Sequence, residues 1–326
     1  MKLLVRTLFS FLLVVALASV AQQSAPEQSN SEPTFKVDVR LVNVFATVTD
    51  EHGAPIGGLT RDQFDLFEDG VPQKIAIFSK ESQLPLSIIL AVDTSSSTRR
   101  DIRLELDSAR RFAHSILRKQ DALALFQFAS EVDEVVPFTN DLGKIDRGLH
   151  EVTAGGATVM YDAIYLASDT LVNRQGRKVL VLITDGGDTT SSTSYEQALR
   201  AAEQSEALVY SIIVVPIEAS AGRNTGGEHA LIQLSTDTGG KYYYAGNIAE
   251  VEKAFAEISE ELRTQYLLGY YPNRRLARSD FRTIEVQVHP LVATAAGSSG
   301  AGDAQRSAEQ KYIVRHRKGY YTSKLH

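Results

Sequence analysis

Leu86–Ser97 reads LSIILAVDTSSS, and this stretch decides the fold. Leu86 to Val92 is almost unbroken aliphatic, which suits a strand covered on both faces in a mostly parallel sheet; a half-wet strand would alternate. Asp93 then stands at the strand's carboxyl end. In open α/β sheets the ligand crevice lies outside that end, so Asp93 and the hydroxyls of Ser95 and Ser97 point into it. Their i, i+2, i+4 spacing lets one loop aim several oxygens at one point. Hard oxygen donors with one or two carboxylates suit Mg²⁺, Mn²⁺ or Ca²⁺ and suit zinc or copper poorly. The same residues also admit a plain structural reading, because Ser and Asp are preferred helix N-caps.

Two further stretches bear on that choice. In GGATVMYDAI, Thr158 sits in a Gly-rich loop opening a helix over Met160 to Val172. In VLVLITDGGD, a second apolar strand, Val179 to Thr184, ends in Asp185 and a glycine pair. DTSSS, GGATVMYD and ITDGGD, in this order and at these separations, resemble the von Willebrand factor type A domain with its metal-ion-dependent adhesion site, over residues 84–263. By that resemblance Asp93, Ser95, Ser97, Thr158 and Asp185 are the five metal-site positions, and all five match. The resemblance further implies a divalent ion, Mg²⁺ foremost with Mn²⁺ or Ca²⁺ as substitutes, held directly or through water. A protein partner's Asp or Glu carboxylate then completes the coordination, and the C-terminal helix shifts on occupancy. Mg²⁺ keeps waters when the protein supplies few ligands, which leaves a position for an incoming acid. Asp188, three residues beyond Asp185, reads either as a holder of the ion's waters or as a solvated turn residue.

The first 21 residues carry Lys2 and Arg6 ahead of an apolar run, Leu8 to Leu17, with small residues at Ser19 and Ala21. This is the pattern of a secretory signal peptide cleaved after Ala21, and the run is short of the ~20 residues that span a bilayer. An exported chain, periplasmic or at the cell surface and with no later membrane span, is expected. Cysteine is absent, which excludes disulfides and thiolate chemistry. The 326 residues, 43% hydrophobic, suffice for two compact domains. The formal charge of −6 becomes −8 without Lys2 and Arg6, and no basic patch argues for nucleic acid.

Residues 22–33 form a polar linker rich in Ser, Gln, Glu and Pro. Residues 34–83 read as a small antiparallel β unit. Phe35, Val37, Val39 and Leu41 alternate in one phase and Val42, Val44, Ala46 and Val48 in the other, which implies a bulge or a change of partner. Turns fall at Asp50 to Gly53 and Glu68 to Gly70, before a strand over Gln73 to Phe78. From Leu86 strands alternate with helices, the mark of βαβ units. Helices are expected over 101–118, 142–150, 160–172, 230–236 and 248–262. Strands are expected over 122–129, 132–138 at a sheet edge, 208–215 and 241–245. His114 reads as a structural histidine on the first of these helices. Glu218 to Glu228 lacks the Lys-Ser/Thr ending of a phosphate loop and reads as a surface loop near the site.

After Arg263 the period returns to two, with strands over 265–271, 281–289 and 311–321 and an Ala/Gly/Ser-rich disordered loop over 291–310. Residues 264–326 supply what 34–83 lacks. The expected fold is therefore an α/β doubly wound, mostly parallel sheet with helices on both faces, inserted into an antiparallel β-sandwich built from both ends of the chain. Tyr266, Tyr270, Tyr271, Tyr320 and Tyr321 are placed at the sandwich rim. The arrangement is similar to exported acidobacterial proteins with this module.

Four other functions can be weighed against the sequence. A phosphoryl-transfer enzyme with Asp93 as nucleophile uses the same ion and strand end, but such enzymes need a second acid where Ser95 stands. A Ser/His/Asp hydrolase lacks a GxSxG elbow, and a zinc hydrolase lacks HExxH. A structural envelope protein needs the ion only for stability. The expectation is a non-enzymatic, metal-dependent binding module.

Overall fold

The computed structural model describes residues 41–80, 84–96, 102–153, 155–215, 225–273, 281–289 and 311–322. The signal peptide, the linker 22–33, the alternation before Leu41, Ser97, most of the 218–228 loop and the 291–310 loop lie outside the described residues. All described residues belong to one compact unit, Val39–His326.

The central strand is β5 (Leu86–Asp93), buried at all eight positions. It pairs in parallel with β6 (Ala122–Phe128) and with β8 (Arg177–Thr184). The six-stranded sheet is completed by β7 (Val132–Thr139), β9 (Leu208–Val214) and β10 (Tyr242–Ala245), in the order β10-β9-β8-β5-β6-β7. Only β7 runs antiparallel, at an edge. Alternate residues of β5 feed two cores. Leu86, Ile88, Leu90 and Val92 pack with α1 (Ile102–Ile116), α2 (Leu142–Glu151) and α6 (Ile248–Thr264). Ile89 and Ala91 pack with α3 (Met160–Val172), α4 (Tyr195–Ser205) and α5 (Thr225–Thr238). Burial on both faces is why the strand is aliphatic at every position from Ile88 to Val92 rather than at every second one.

Helix α4 is absent from the sequence reading. Its signals were present: Ser194 and Gln197 form a capping box, and Ala198, Ala201, Ala202 and Ser205 follow at helical spacing on its buried face. Helix α5 starts at Thr225, earlier than the expected Ala230, because its polar first turn carries no apolar period. His114 takes a structural place, with Nε2 2.9 Å from Asp146 Oδ1 on the neighbouring helix α2.

The second domain is two four-stranded antiparallel sheets over one core. One sheet has the order β13-β1-β11-β4, with β1 (Val42–Thr49), β4 (Ile75–Lys80), β11 (Tyr266–Tyr270) and β13 (Ile313–Arg315). The other has the order β14-β12-β2-β3, with β2 (Phe64–Glu68), β3 (Val71–Gln73), β12 (Phe281–Val288) and β14 (Gly319–Tyr321). Both neighbours of β1 come from the far end of the chain, as does one neighbour of β2. Among the described residues, the N-terminal segment pairs with itself in the β2-β3 hairpin and the Thr49–Pro55 bridge, and its strands β1 and β4 pair with strands from the C-terminal end.

Three expectations are corrected here. The strand placed over Gln73 to Phe78 is two, β3 and β4, broken at Lys74. The strand placed over 311–321 is also two. Between them His316 to Lys318 carry the chain from one sheet to the other, and the Lys318 amide donates to the Asp237 carbonyl at 2.8 Å. Tyr266, Tyr270 and Tyr320 are not at the rim; they are core residues. Their hydroxyls find partners inside: Tyr266 donates to the Ile56 carbonyl at 2.8 Å, while Tyr270 and Tyr320 both donate to Glu68 Oε2, at 2.7 and 3.2 Å. A phenol so satisfied can bury its whole ring.

The crossing segment also fastens the two domains. Arg315 pairs with Glu261 at 2.5 Å, Arg317 with Glu206 at 3.5 Å and Lys318 with Asp237 at 2.5 Å. Gly239, at φ +83°, lies so close to this segment that a β-carbon there would stand 2.4 Å from the Arg317 nitrogen. Only glycine permits both the backbone angle and the approach.

Candidate functional site

The site lies at the carboxyl end of the central sheet, where three loops meet. The first leaves β5. Asp93 is fully buried; its Oδ1 accepts the Ser95 amide at 2.9 Å and its Oδ2 the Thr184 hydroxyl at 2.6 Å. Ser95 is 2% exposed. The second loop precedes α3. It is tied to the first by the Gly155 amide on the Thr94 carbonyl at 2.7 Å and by the Ser96 amide on the Gly156 carbonyl at 3.3 Å. It is tied to the turn after β6 by the Ala157 amide on Ser130 Oγ at 3.0 Å. Thr158, 4% exposed, stands in this loop.

The third loop leaves β8. Thr158 and Thr189 clasp one another: the Thr158 amide donates to Thr189 Oγ1 at 2.9 Å, and the Thr189 amide to the Thr158 carbonyl at 2.8 Å. Asp185 begins this loop, with Oδ1 accepting the Gly187 amide at 3.0 Å. Gly186 makes the turn at φ +83°, a region open to glycine at little cost. Its amide donates to Thr184 Oγ1 at 3.1 Å, so Thr184 joins the Asp185 turn to Asp93 through one hydroxyl.

Asp93, Ser95, Thr158 and Asp185 are thus brought together, while Ser97 lies outside the described residues. Burial pushes the Asp93 carboxyl up to about 6; hydrogen bonds from Thr184 and Ser95 oppose the rise, and the neighbouring charge of Asp185 adds to it. A buried carboxylate beside a second one is costly until a cation compensates it. The donors are hard oxygens, two carboxylates and hydroxyls, which fit Mg²⁺, Mn²⁺ or Ca²⁺. Among the described residues no three Asp, Glu, His or Cys side chains converge on a metal position, so an ion here relies on hydroxyls and water beside the two acids.

Asp188 turns out to cap a helix. Its Oδ1 accepts the Tyr161 amide at 3.1 Å and the Ser191 hydroxyl at 2.5 Å, at the start of α3. Asp162, in the same first turn, accepts the Ser192 and Thr193 amides at 3.0 and 2.8 Å. Burial works against its charge, but these bonds and the Thr193 hydroxyl hold the carboxyl below the usual range. The sequence reading passed over Thr184, Thr189 and Ser130. Thr184 was visible as a lone hydroxyl closing an apolar strand; Thr189 and Ser130 carry no sequence signal, since only the fold brings them to Thr158.

Residues 88–188 match the family model described as the von Willebrand factor type A domain. The chain carries a von Willebrand factor type A domain. Similar solved structures include the conserved hypothetical protein BatB from Bacteroides thetaiotaomicron, 18% identical over 55% of this chain and 100% of that one, with a TM-score of 0.45. The vWF domain of the type V pili tip protein Mfa5 from Porphyromonas gingivalis is 12% identical over 55% of this chain and 95% of that one, at 0.43. The pilus adhesin SpaC from Lactobacillus rhamnosus GG, in its open conformation, is 10% identical over 81% of this chain and 48% of that one, at 0.47. At such identities these likenesses carry nothing about ligand or partner. No curated protein matches the chain. Within the von Willebrand factor type A domain, the three loops just described carry Asp93 and Ser95 of DTSSS, Thr158 of GGATVMYD and Asp185 of ITDGGD.

Proposed function

We propose that this protein is an exported, metal-dependent protein-binding module rather than an enzyme. A divalent cation, Mg²⁺ foremost, is held by Asp93, Ser95, Ser97, Thr158 and Asp185. An ion bound by few protein oxygens retains exchangeable positions, and here it would offer one to an Asp or Glu carboxylate of a partner protein. The observation that supports this most is the convergence of three separate loops on the fully buried Asp93 beside Asp185. Helix capping alone needs neither the second acid nor the Thr158–Thr189 clasp. The N-terminal 21 residues direct the chain to the periplasm or the surface. Among the described residues no helix is long and apolar enough to cross a membrane.

The test is calorimetric titration of Mg²⁺, Mn²⁺ and Ca²⁺ into the mature protein, beside Asp93→Ala and Thr158→Ala, followed by a phosphatase and esterase screen. Saturable binding is expected, weakened at least about a hundredfold in Asp93→Ala, beyond what loss of an orienting neighbour costs. Turnover is expected to be nil. Absence of binding returns these oxygens to helix capping, and metal-dependent turnover returns Asp93 to catalysis.

A further inference from the structure

We propose that Glu228 is a positioning residue of this site, holding the Asp185–Gly187 turn in the shape that sets affinity for the divalent ion. The proposal rests on the metal-site reading above. Glu228 lies in the first turn of α5, outside all three motifs, and is 4% exposed. A carboxylate at that depth is unusual unless something there requires it.

Its surroundings point to the turn. A β-carbon on Gly186 would stand 3.3 Å from both Glu228 Cγ and the Glu228 nitrogen, so the start of α5 lies against the turn itself. The far end of the side chain is anchored: Tyr244 donates its hydroxyl to Glu228 Oε2 at 3.1 Å. Tyr244 is on β10, an edge strand among the described residues, and pairs with Ile213, which pairs with Thr184. Tyr244 and Thr184 therefore share one row, two strands or roughly 10 Å apart, and Glu228 runs between that edge and the turn. The Gly186 amide is bonded to Thr184 Oγ1, which is bonded to Asp93 Oδ2. A displacement of Gly186 thus moves Asp185 along the chain and Asp93 through Thr184.

The full chain is titrated with Mn²⁺ by calorimetry as wild type, Glu228→Ala, Glu228→Gln and Tyr244→Phe, with thermal unfolding measured without metal. Glu228→Ala is expected to bind about tenfold more weakly, the scale on which groups that orient metal ligands act. Glu228→Gln keeps the stem and an acceptor for Tyr244 and is expected to restore most of that affinity. Tyr244→Phe is expected to lose about threefold, the worth of one modest hydrogen bond. If Glu228→Ala lowers the thermal midpoint but binds Mn²⁺ like wild type, Glu228 merely supports α5 and the proposal is overturned, as it is if Glu228→Gln binds as weakly as Glu228→Ala. Should Glu228→Ala not fold, an unchanged affinity in Tyr244→Phe overturns it. A wild type that binds no metal overturns both this proposal and the metal-site reading; a binding wild type with indifferent variants overturns this proposal alone.

Discussion

Glu261 joins the two domains, and its removal is the most informative stability test. It stands in α6, 4% exposed, and serves three elements at once. Oε1 accepts the Tyr210 hydroxyl from β9 at 2.7 Å and the Thr47 hydroxyl from β1 at 3.3 Å, while Oε2 accepts Arg315 Nη2 from β13 at 2.5 Å. Glu261→Ala leaves the fully buried Tyr210 phenol without this acceptor and the Arg315 guanidinium without its counter-ion, though Nη1 keeps the Gly240 carbonyl at 2.8 Å. Breaking a buried ion pair from one side costs ~3–5 kcal/mol, which already includes the unsatisfied partners. Because the Arg315 side chain is 25% exposed, solvent recovers part of this, and about 3 kcal/mol is expected. Glu261→Gln keeps an acceptor for Tyr210 and is expected to cost about half as much. Urea unfolding followed by circular dichroism and by tyrosine fluorescence measures both, the chain having no Trp. Adding Arg315→Met to Glu261→Gln should cost less than the sum of the singles, by ~1–2 kcal/mol. A Glu261→Ala cost below about 1 kcal/mol, or strict additivity in the pair, would refute the reasoning that this cluster fastens the domains.

Further outcomes follow from single groups. Burial, then the charge of Asp237, pushes the Glu203 carboxyl up to about 7, against Arg200 and Lys318; the unfolded chain ionises first, so stability falls as pH rises from 4.5 to 7. Glu203→Gln removes that slope and raises stability at neutral pH by about 1–2 kcal/mol after discounting for solvent screening; a thermal midpoint that follows pH identically in the variant would contradict this. Burial lowers the His316 pKa below 6.5, consistent with Nε2 accepting the Val286 amide at 3.1 Å. Its stabilising contribution is present above 6.5 and is lost as pH falls through the depressed value, and His316→Ala should flatten that acid limb in pH-dependent unfolding. A fragment of residues 34–83 is expected to show no cooperative unfolding transition by circular dichroism, since β1 has both its neighbours elsewhere; a sharp two-state transition would show that this segment folds on its own.

The candidate site was legible because its chemistry sits at strand ends. A buried parallel strand is aliphatic throughout, so Asp93 closing β5 and Asp185 following β8 break the pattern where the crevice must lie. The groups that orient them were not legible. Thr189 and Ser130 meet the Thr158 loop, and Glu228 meets Gly186, across separations of about thirty to forty residues, and no local period records such encounters. Asp188 was ambiguous for the same reason: an acid after a glycine pair reads alike whether it faces water or caps the helix opened by Met160.

The sequence alone therefore determined most of the order of elements in the central sheet and the placing of helices on both its faces, with α4 the exception, because alternation, aliphatic runs and helical spacing are properties of adjacent residues. It also carried the pairing of both chain ends into one sandwich, since neither end holds enough strands to bury its own face. Tertiary structure alone decided that Tyr266, Tyr270 and Tyr320 are interior, because a phenol's place depends on whether an acceptor such as Glu68 waits inside. It alone decided that the basic run from Arg315 to Lys318 is a corner between sheets, because the acids that hold it, Glu206, Asp237 and Glu261, come from elements that only folding brings together.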